Sequence, residues 1–169
     1  RMLEQLADIY AEDGSVTKWS QLGVTIPGGD DEIVRISRQS SSGTYEFFRE
    51  HVLGNRDFKL GSRDMNGSKE VVELVANTKT AIGYSGMGYA TPAVKMLKLS
   101  VAPGQPAVEP TIANTMNKTY PLARALEEYT VGEPQGAVKD YIDWMLSEAG
   151  QKIVADNGYV PLDAGPHGN

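Results

Sequence analysis

Residues 33–48 read IVRISRQSSSGTYEFF, and three kinds of sequence follow one another within this stretch. Residues 33–36 are short and rich in β-branched side chains, which is typical of a buried strand. Residues 37–44 carry almost no apolar side chains. From Tyr45 onward, apolar residues recur at helical spacing. The sequence therefore predicts a strand, a polar loop of small residues, and a helix that begins near Thr44.

The polar loop has the composition of an anion-binding site. Backbone N–H groups in the first turn of a helix have no intrahelical acceptor, and Gly43 lets an anion approach the main chain closely. Ser42 and Thr44 add hydroxyl donors, and Arg38 can offer a planar pair of donors to the same oxygens. These residues fit a tetrahedral oxyanion held without a metal. The residues alone leave a second interpretation open, in which Ser42 or Thr44 only caps the helix and Arg38 is a surface residue.

Strands and helices alternate along the rest of the chain, which favours an α/β layer architecture. The region 120–130 is ambiguous, because its apolar spacing fits a helix whereas its flanks fit a strand. We predict helices over 2–11, from the cap Ser68 to about Asn77, from the cap Thr91 and Pro92, and over 138–146 with a continuation past Gly150; strands over 81–84 and 96–101; a crossing or hairpin loop over 102–110; and a terminal strand or arm over 158–161.

Composition excludes several classes of protein. The chain has 169 residues, 16 Lys and Arg, 22 Asp and Glu, and a formal net charge of −6, which argues against a general nucleic-acid or anionic-membrane binder. The absence of cysteine removes disulfides, thiolate metal sites and cysteine nucleophiles. No apolar run approaches the roughly 18 residues that a membrane-spanning helix needs.

Catalysis and metal binding find little support in the sequence. Ser41 or Ser42 on a strand-to-helix turn has a superficial likeness to a hydrolase nucleophile, but the flanking glycine pattern is absent. His51 follows Glu50 on a helix face and His167 lies in the tail, so no histidine is placed as a base or as part of a metal-binding motif. We expect no catalytic residue, no metal and no cofactor.

The stretch 38–48 resembles the phosphate-binding loop of PstS-type phosphate-binding proteins, the substrate-binding components of bacterial phosphate ABC transporters, which have the type II periplasmic binding fold. No single motif is specific, but further segments match in the same order along the chain. They are 6–10 and 16–23 before the loop, 81–84 with 88–90, 120–124, and 150–154 with 158–162.

The resemblance implies which residues bind phosphate. Family members often place an acidic partner for the arginine two positions after it, whereas this chain has Ser40 there. We therefore expect a freer Arg38, a more positive site, and an altered affinity and phosphate-over-sulfate selectivity. The implied phosphate-binding residues are Arg38, Ser42, Gly43 and Thr44, with Ser40, Ser41 and Ser68 as additional candidates; a plain cap is the commoner role for a residue placed like Ser68.

The resemblance also implies an architecture and a role. The expected fold is a periplasmic-binding-protein-like (type II) α/β lobe over residues 1–118, followed by the segment 119–169 that returns to complete a first lobe whose N-terminal part lies outside this sequence. We expect a frayed tail, and dimerisation or domain swapping through the incomplete lobe. The implied partners are inorganic phosphate and an ABC transporter membrane permease, in the periplasm or outside the cell, with a lipid anchor in the full-length form. Binding of sulfate or molybdate, or a phosphate-sensing ectodomain, stays open as an alternative.

Overall fold

The computed structural model describes residues 2–28 and 30–162, which divide between Glu109 and Pro110 into two compact units. The fold class is α/β, as predicted, with a parallel sheet in the first unit. The first unit contains α1 (Leu3–Tyr10), a 3₁₀ turn (Trp19–Leu22), β1 (Val34–Arg38), α2 (Gly43–His51), β2 (Arg63–Met65), α3 (Ser68–Ala76), β3 (Ala81–Ile82) and a second 3₁₀ turn (Met87–Tyr89). The second contains α4 (Ile112–Met116), α5 (Gly136–Leu146) and α6 (Glu148–Asp156).

The sheet has the strand order β2-β1-β3, and both pairings are parallel. Ile36 pairs with Arg63 on one side of β1, and Val34 pairs with Ala81 on the other. The chain thus passes from β1 to one edge and then crosses to the opposite edge. Ligands of open α/β sheets bind outside the carboxyl ends of the strands at such a change of direction.

An aromatic cluster fills the space between α1, α2 and the sheet. The Tyr10 side chain is almost fully buried, and its hydroxyl lies 3.0 Å from the Ile36 carbonyl oxygen and 2.9 Å from that of Ile82. Phe48 of α2 stacks on Tyr84 with ring centroids 4.0 Å apart. Burial raises the pKa of Tyr10 well above its ordinary value. Tyr10 therefore ties β1 to β3 beneath the edge at which both strands end.

Gly83 lets α3 lie close to the sheet. A β-carbon at this position would stand 2.8 Å from Val71 Cγ1 and 3.0 Å from Val75 Cγ2. Interiors pack too densely to absorb such a contact without a shift of the neighbours. The glycine after β3 thus sets how near α3 comes to the strands.

The helices predicted at 2–11 and 138–146 are confirmed as α1 and α5, and the strand predicted at 33–36 is confirmed with its carboxyl end extended to Arg38. The continuation of α5 past Gly150 is wrong. Ser147 adopts an extended conformation and its hydroxyl caps a separate helix, α6, accepting from the Gly150 N–H at 3.3 Å.

Two predictions between β3 and the second unit are wrong. Residues 91–93 are exposed and form only a turn, closed by the Val94 N–H bond to the Thr91 carbonyl, because they have no core to pack against. The stretch 96–101 is not a strand of the sheet and forms only isolated β-bridges. Leu99 instead exchanges both backbone hydrogen bonds with Val108, at 2.9 and 2.7 Å, so the hairpin interpretation of the loop after it is confirmed.

The second unit has no regular element over the ambiguous region 120–130, and the arm predicted at 158–161 is not paired as a strand. The tail from 163 lies outside the described residues. The predicted division at 118 and 119, which assigns the segments to two lobes, stays a prediction. Among the described residues, no helix combines the length and the hydropathy needed to cross a bilayer.

Candidate anion-binding site

The loop after β1 closes into a tight turn and starts α2. The Ser42 N–H bonds the Gln39 carbonyl at 2.9 Å, and the Ser42 hydroxyl oxygen accepts from the N–H groups of Thr44 at 3.1 Å and Tyr45 at 3.4 Å. Ser42 is therefore the N-cap, and α2 begins at Gly43, one residue earlier than predicted. The Gly43 N–H has no acceptor among the described residues.

Arg38, the last residue of β1, is held at the carboxyl edge of the sheet. Its Nη1 donates to the Ser68 hydroxyl oxygen at 3.0 Å, and its Nη2 donates to the Asn66 carbonyl at 2.9 Å. Its Nε is buried without a partner in the part of the chain that the structure describes. The expectation that serine at position 40 leaves Arg38 freer is wrong, because two neutral oxygens orient the guanidinium.

Ser68 is the first residue of α3 and not its cap. Gly67 occupies the N-cap position in an extended conformation (φ −129°, ψ 163°). The Ser68 hydroxyl is buried and accepts from the Gly86 N–H at 3.1 Å as well as from Arg38. The predicted plain-cap role is therefore wrong, since the hydroxyl joins β1 to the segment after β3.

Tyr84 supports the backbone of Arg38 from below. Its hydroxyl lies 2.7 Å from the Ser37 hydroxyl and accepts from the Arg38 N–H at 3.3 Å. Burial raises the pKa of Tyr84 to about 12, so the phenol keeps its proton at neutral pH. Tyr84 is the last residue of the strand predicted over 81–84, whereas β3 ends at Ile82. Its position two residues after β3, beside the end of β1, is the signal that relates it to the loop.

The other predicted candidates make fewer contacts with the site. Ser40 and Ser41 are exposed, and within the described residues no hydrogen bond joins either side chain to Arg38. His51 lies 3.1 Å from the Phe47 carbonyl through Nδ1 and stacks on the Phe47 ring. In residues 2–28 and 30–162, no group of three His, Asp or Glu side chains could hold a metal ion.

The carboxyl edge of the sheet thus gathers hydrogen-bond donors. Arg38, the Gly43 N–H and the amino termini of α2 and α3 all lie where β1 and β2 end. Helix amino termini carry partial positive charge, which adds to that of a guanidinium. No carboxylate of the described residues lies within ion-pairing distance of Arg38. Such a cluster favours a small anion with several acceptor oxygens.

A protein-family model described as the PBP superfamily domain matches residues 3–149 of the sequence. The chain is 36% identical over 153 residues to the phosphate-binding protein PstS of Pseudomonas aeruginosa, covering 88% of this chain and 47% of that protein. It is 33% identical over 160 residues to PstS of Bacillus subtilis, covering 94% of this chain and 49% of the relative. The chain therefore spans about half the length of these curated relatives.

Solved structures give the same grouping. A protein of Clostridium perfringens, described as a phosphate ABC transporter substrate-binding protein with bound phosphate, superposes with a TM-score of 0.79 and 32% identity. That superposition covers 96% of this chain and 63% of the other. PstS of Borrelia burgdorferi superposes with a TM-score of 0.70 and 26% identity, over 97% and 64% of the two chains.

Proposed function

Because the chain belongs to the PBP superfamily, we propose that it binds inorganic phosphate non-covalently through Arg38 and the loop that runs to Thr44. The single observation that carries the proposal is the orientation of the Arg38 guanidinium by Ser68 and Asn66 at the amino terminus of α3, on the sheet edge where α2 also begins. The relatives named as phosphate-binding proteins, and the phosphate-bound structure from Clostridium perfringens, support phosphate as the anion.

In the proposed site, Arg38 supplies the positive charge and a set of N–H donors with a fixed orientation. A guanidinium has five N–H groups, and two of them are used by Ser68 and Asn66. The remaining three N–H groups, which include the buried Nε–H, are held in fixed directions, because the guanidinium cannot rotate without losing the bonds to Ser68 and Asn66. A planar donor held in this way fits two oxygens of a tetrahedral anion at once.

The first turn of α2 supplies the other donors. The Gly43 N–H faces no acceptor of the described chain, and Ser42 keeps its hydroxyl hydrogen for an anion while its oxygen caps the helix. Thr44 adds a second hydroxyl at the same turn. Ser40 and Ser41, being exposed, stay additional candidates whose contacts depend on how the loop closes around the ligand.

The mechanism that follows is capture without chemistry. No nucleophile, base or metal group takes part, and binding energy would be used to shift the protein toward a closed state. We infer a role as the substrate-binding component of an ABC phosphate importer, acting in the periplasm or outside the cell and delivering phosphate to a membrane permease. A lipid anchor on the full-length protein belongs to the same proposal.

Self-association is a separate proposal that rests on the second unit. Val138, Tyr141 and Trp144 on α5 are exposed by 53%, 61% and 48%. A helix that presents such an apolar face is a candidate interface, because contiguous exposed apolar patches mark interaction sites. A second copy of the chain, as a dimer or by domain swapping, is the occupant proposed.

Equilibrium dialysis of the chain against labelled phosphate tests the binding proposal. Excess unlabelled phosphate, sulfate and molybdate serve as competitors in parallel cells. Saturable binding displaced by phosphate alone supports the proposal. Displacement by sulfate or molybdate would move the assignment to a different oxyanion, and absence of saturable binding would contradict binding by this chain.

A further inference from the structure

The hydroxyl of Ser68 is placed where three segments of the first unit meet. It belongs to the first turn of α3, it accepts from Arg38 at the end of β1, and it accepts from the Gly86 N–H after β3. The residue is 8% exposed. A buried hydroxyl that accepts two hydrogen bonds restrains both donors, and a hydrogen bond to a charged group contributes more than one between neutral groups.

We propose that Ser68 is a positioning residue that holds the Arg38 guanidinium in its phosphate-binding orientation. This inference rests on the proposed function of the loop and adds a residue that acts through Arg38. The second anchor, the Asn66 carbonyl, is a backbone group and cannot be removed by substitution. Ser68 is therefore the one side chain among the described residues that hydrogen-bonds the guanidinium.

The chemistry of the anchor has a consequence for the site. A carboxylate partner would orient the arginine and also offset its charge, whereas a hydroxyl orients it without doing so. With Ser68 as the anchor, the full positive charge of Arg38 stays available to the anion. The bond of 3.0 Å to Nη1 and the bond from the Gly86 N–H keep this neutral anchor in place.

The test compares phosphate affinity across matched variants of the whole chain. Ser68→Ala removes the acceptor and is expected to weaken phosphate binding about tenfold, the scale set by a hydrogen bond to a charged group. Ser68→Thr keeps the hydroxyl and is expected to bind within about threefold of the wild type. Ser100→Ala makes the same chemical change at another buried serine, 7% exposed and paired with Met2, and is expected to leave affinity unchanged.

A second readout separates this inference from the proposed function. The heteronuclear NOE of the Arg38 Nε–H, assigned by its loss in Arg38→Lys, reports the order of the guanidinium without any ligand. We expect an ordered signal in the wild type and in Ser68→Thr, and a disordered one in Ser68→Ala. Thermal unfolding of every variant shows whether it is folded; if Ser68→Ala is not, Ser68→Cys, with its weak acceptor, replaces it.

The outcomes are distinct. Absence of phosphate binding by the wild type would contradict the proposed function, and the NOE comparison would still decide the role of Ser68. A wild type that binds phosphate, with Ser68→Ala matching Ser100→Ala in affinity and the wild type in NOE, would overturn the inference. Weaker binding with loss of order in Ser68→Ala alone would establish it.

Discussion

The Arg38 guanidinium donates to the Ser68 hydroxyl oxygen across 3.0 Å, and this bond joins the end of β1 to the start of α3. The two residues stand 30 positions apart in the sequence. The parallel sheet brings them together because all three strands end at one edge. The bond turns an arginine at a strand end into a directed donor, which is the basis of the proposed phosphate site.

Arg38 is expected to supply the largest share of phosphate affinity. Arg38→Ala should abolish detectable binding in equilibrium dialysis, and Arg38→Lys should bind weakly, because an ammonium cannot present two parallel donors. Arg56→Ala is the matched control, since Arg56 bonds Asp13 and the Leu53 carbonyl and no residue of the loop. Equal affinities for Arg38→Ala and Arg56→Ala would show that the anion binds elsewhere.

Removal of the α2 cap should reduce stability. Ser42→Ala deprives the Thr44 and Tyr45 N–H groups of their acceptor, so we expect the free energy of unfolding to fall by about 1 kcal/mol. Ser41→Ala, at the exposed neighbouring serine, should leave it unchanged within error. Urea denaturation measures both variants, and an unchanged midpoint for Ser42→Ala would mean that its hydroxyl does not stabilise the helix.

Gly83→Ala should overpack the contact between α3 and the sheet. The added methyl meets Val71 and Val75, so we expect a loss of about 2 kcal/mol in the free energy of unfolding. A double-mutant cycle with Val71→Ala checks the cause, because the smaller neighbour makes room for the methyl. Additive effects of the two substitutions would contradict a direct clash.

Alkaline pH should destabilise the first unit through Tyr84. Its pKa is raised from 10.0 to about 12 in the folded chain, so the unfolded chain loses this proton first as pH rises. Unfolding then releases a proton, and stability falls between about pH 10 and pH 12. Tyr84→Phe removes this contribution and should reduce the slope of unfolding free energy against pH, measured by urea denaturation. An unchanged slope would mean that Tyr84 titrates equally in both states.

Self-association through α5 should depend on its exposed aromatic residues. Tyr141 and Trp144 lie with ring centroids 6.2 Å apart on the helix surface. We expect light scattering after size-exclusion chromatography to detect a dimer whose fraction rises with concentration and falls in the double variant Tyr141→Ser with Trp144→Ser. A monomer at every concentration would contradict this proposal.

Local patterns carried most of the fold prediction. The change from β-branched residues to a polar loop and then to helical spacing located the starts of β1 and α2 to within one residue, because each signal lies inside its own segment. The apolar periodicities of α1 and α5 are similarly local. The helix predicted from Thr91 and Pro92 is wrong, since a helix-start signal forms no helix where the following residues have nothing to pack against.

The partners of the site residues could not be predicted in the same way. Arg38 and Ser68 are 30 positions apart, and Ser37 and Tyr84 are 47 apart. These pairings depend on the strand order, which places β1 between β2 and β3. The loop residues themselves were identifiable because their donors and their glycine lie together in the sequence. The neutral anchor of Arg38 has no signal in the local sequence, because the carboxyl edge of the folded sheet brings Ser68 to it.

An NMR titration of the ¹⁵N-labelled chain with inorganic phosphate shows directly whether Arg38 and the loop to Thr44 bind the anion. We predict saturable shifts that are largest at the Gly43 and Thr44 amides and at the Arg38 Nε–H, and that disappear in Arg38→Ala. Saturable shifts centred on other residues, or equal shifts of the Gly43 and Thr44 amides in the wild type and in Arg38→Ala, would contradict phosphate binding at this loop.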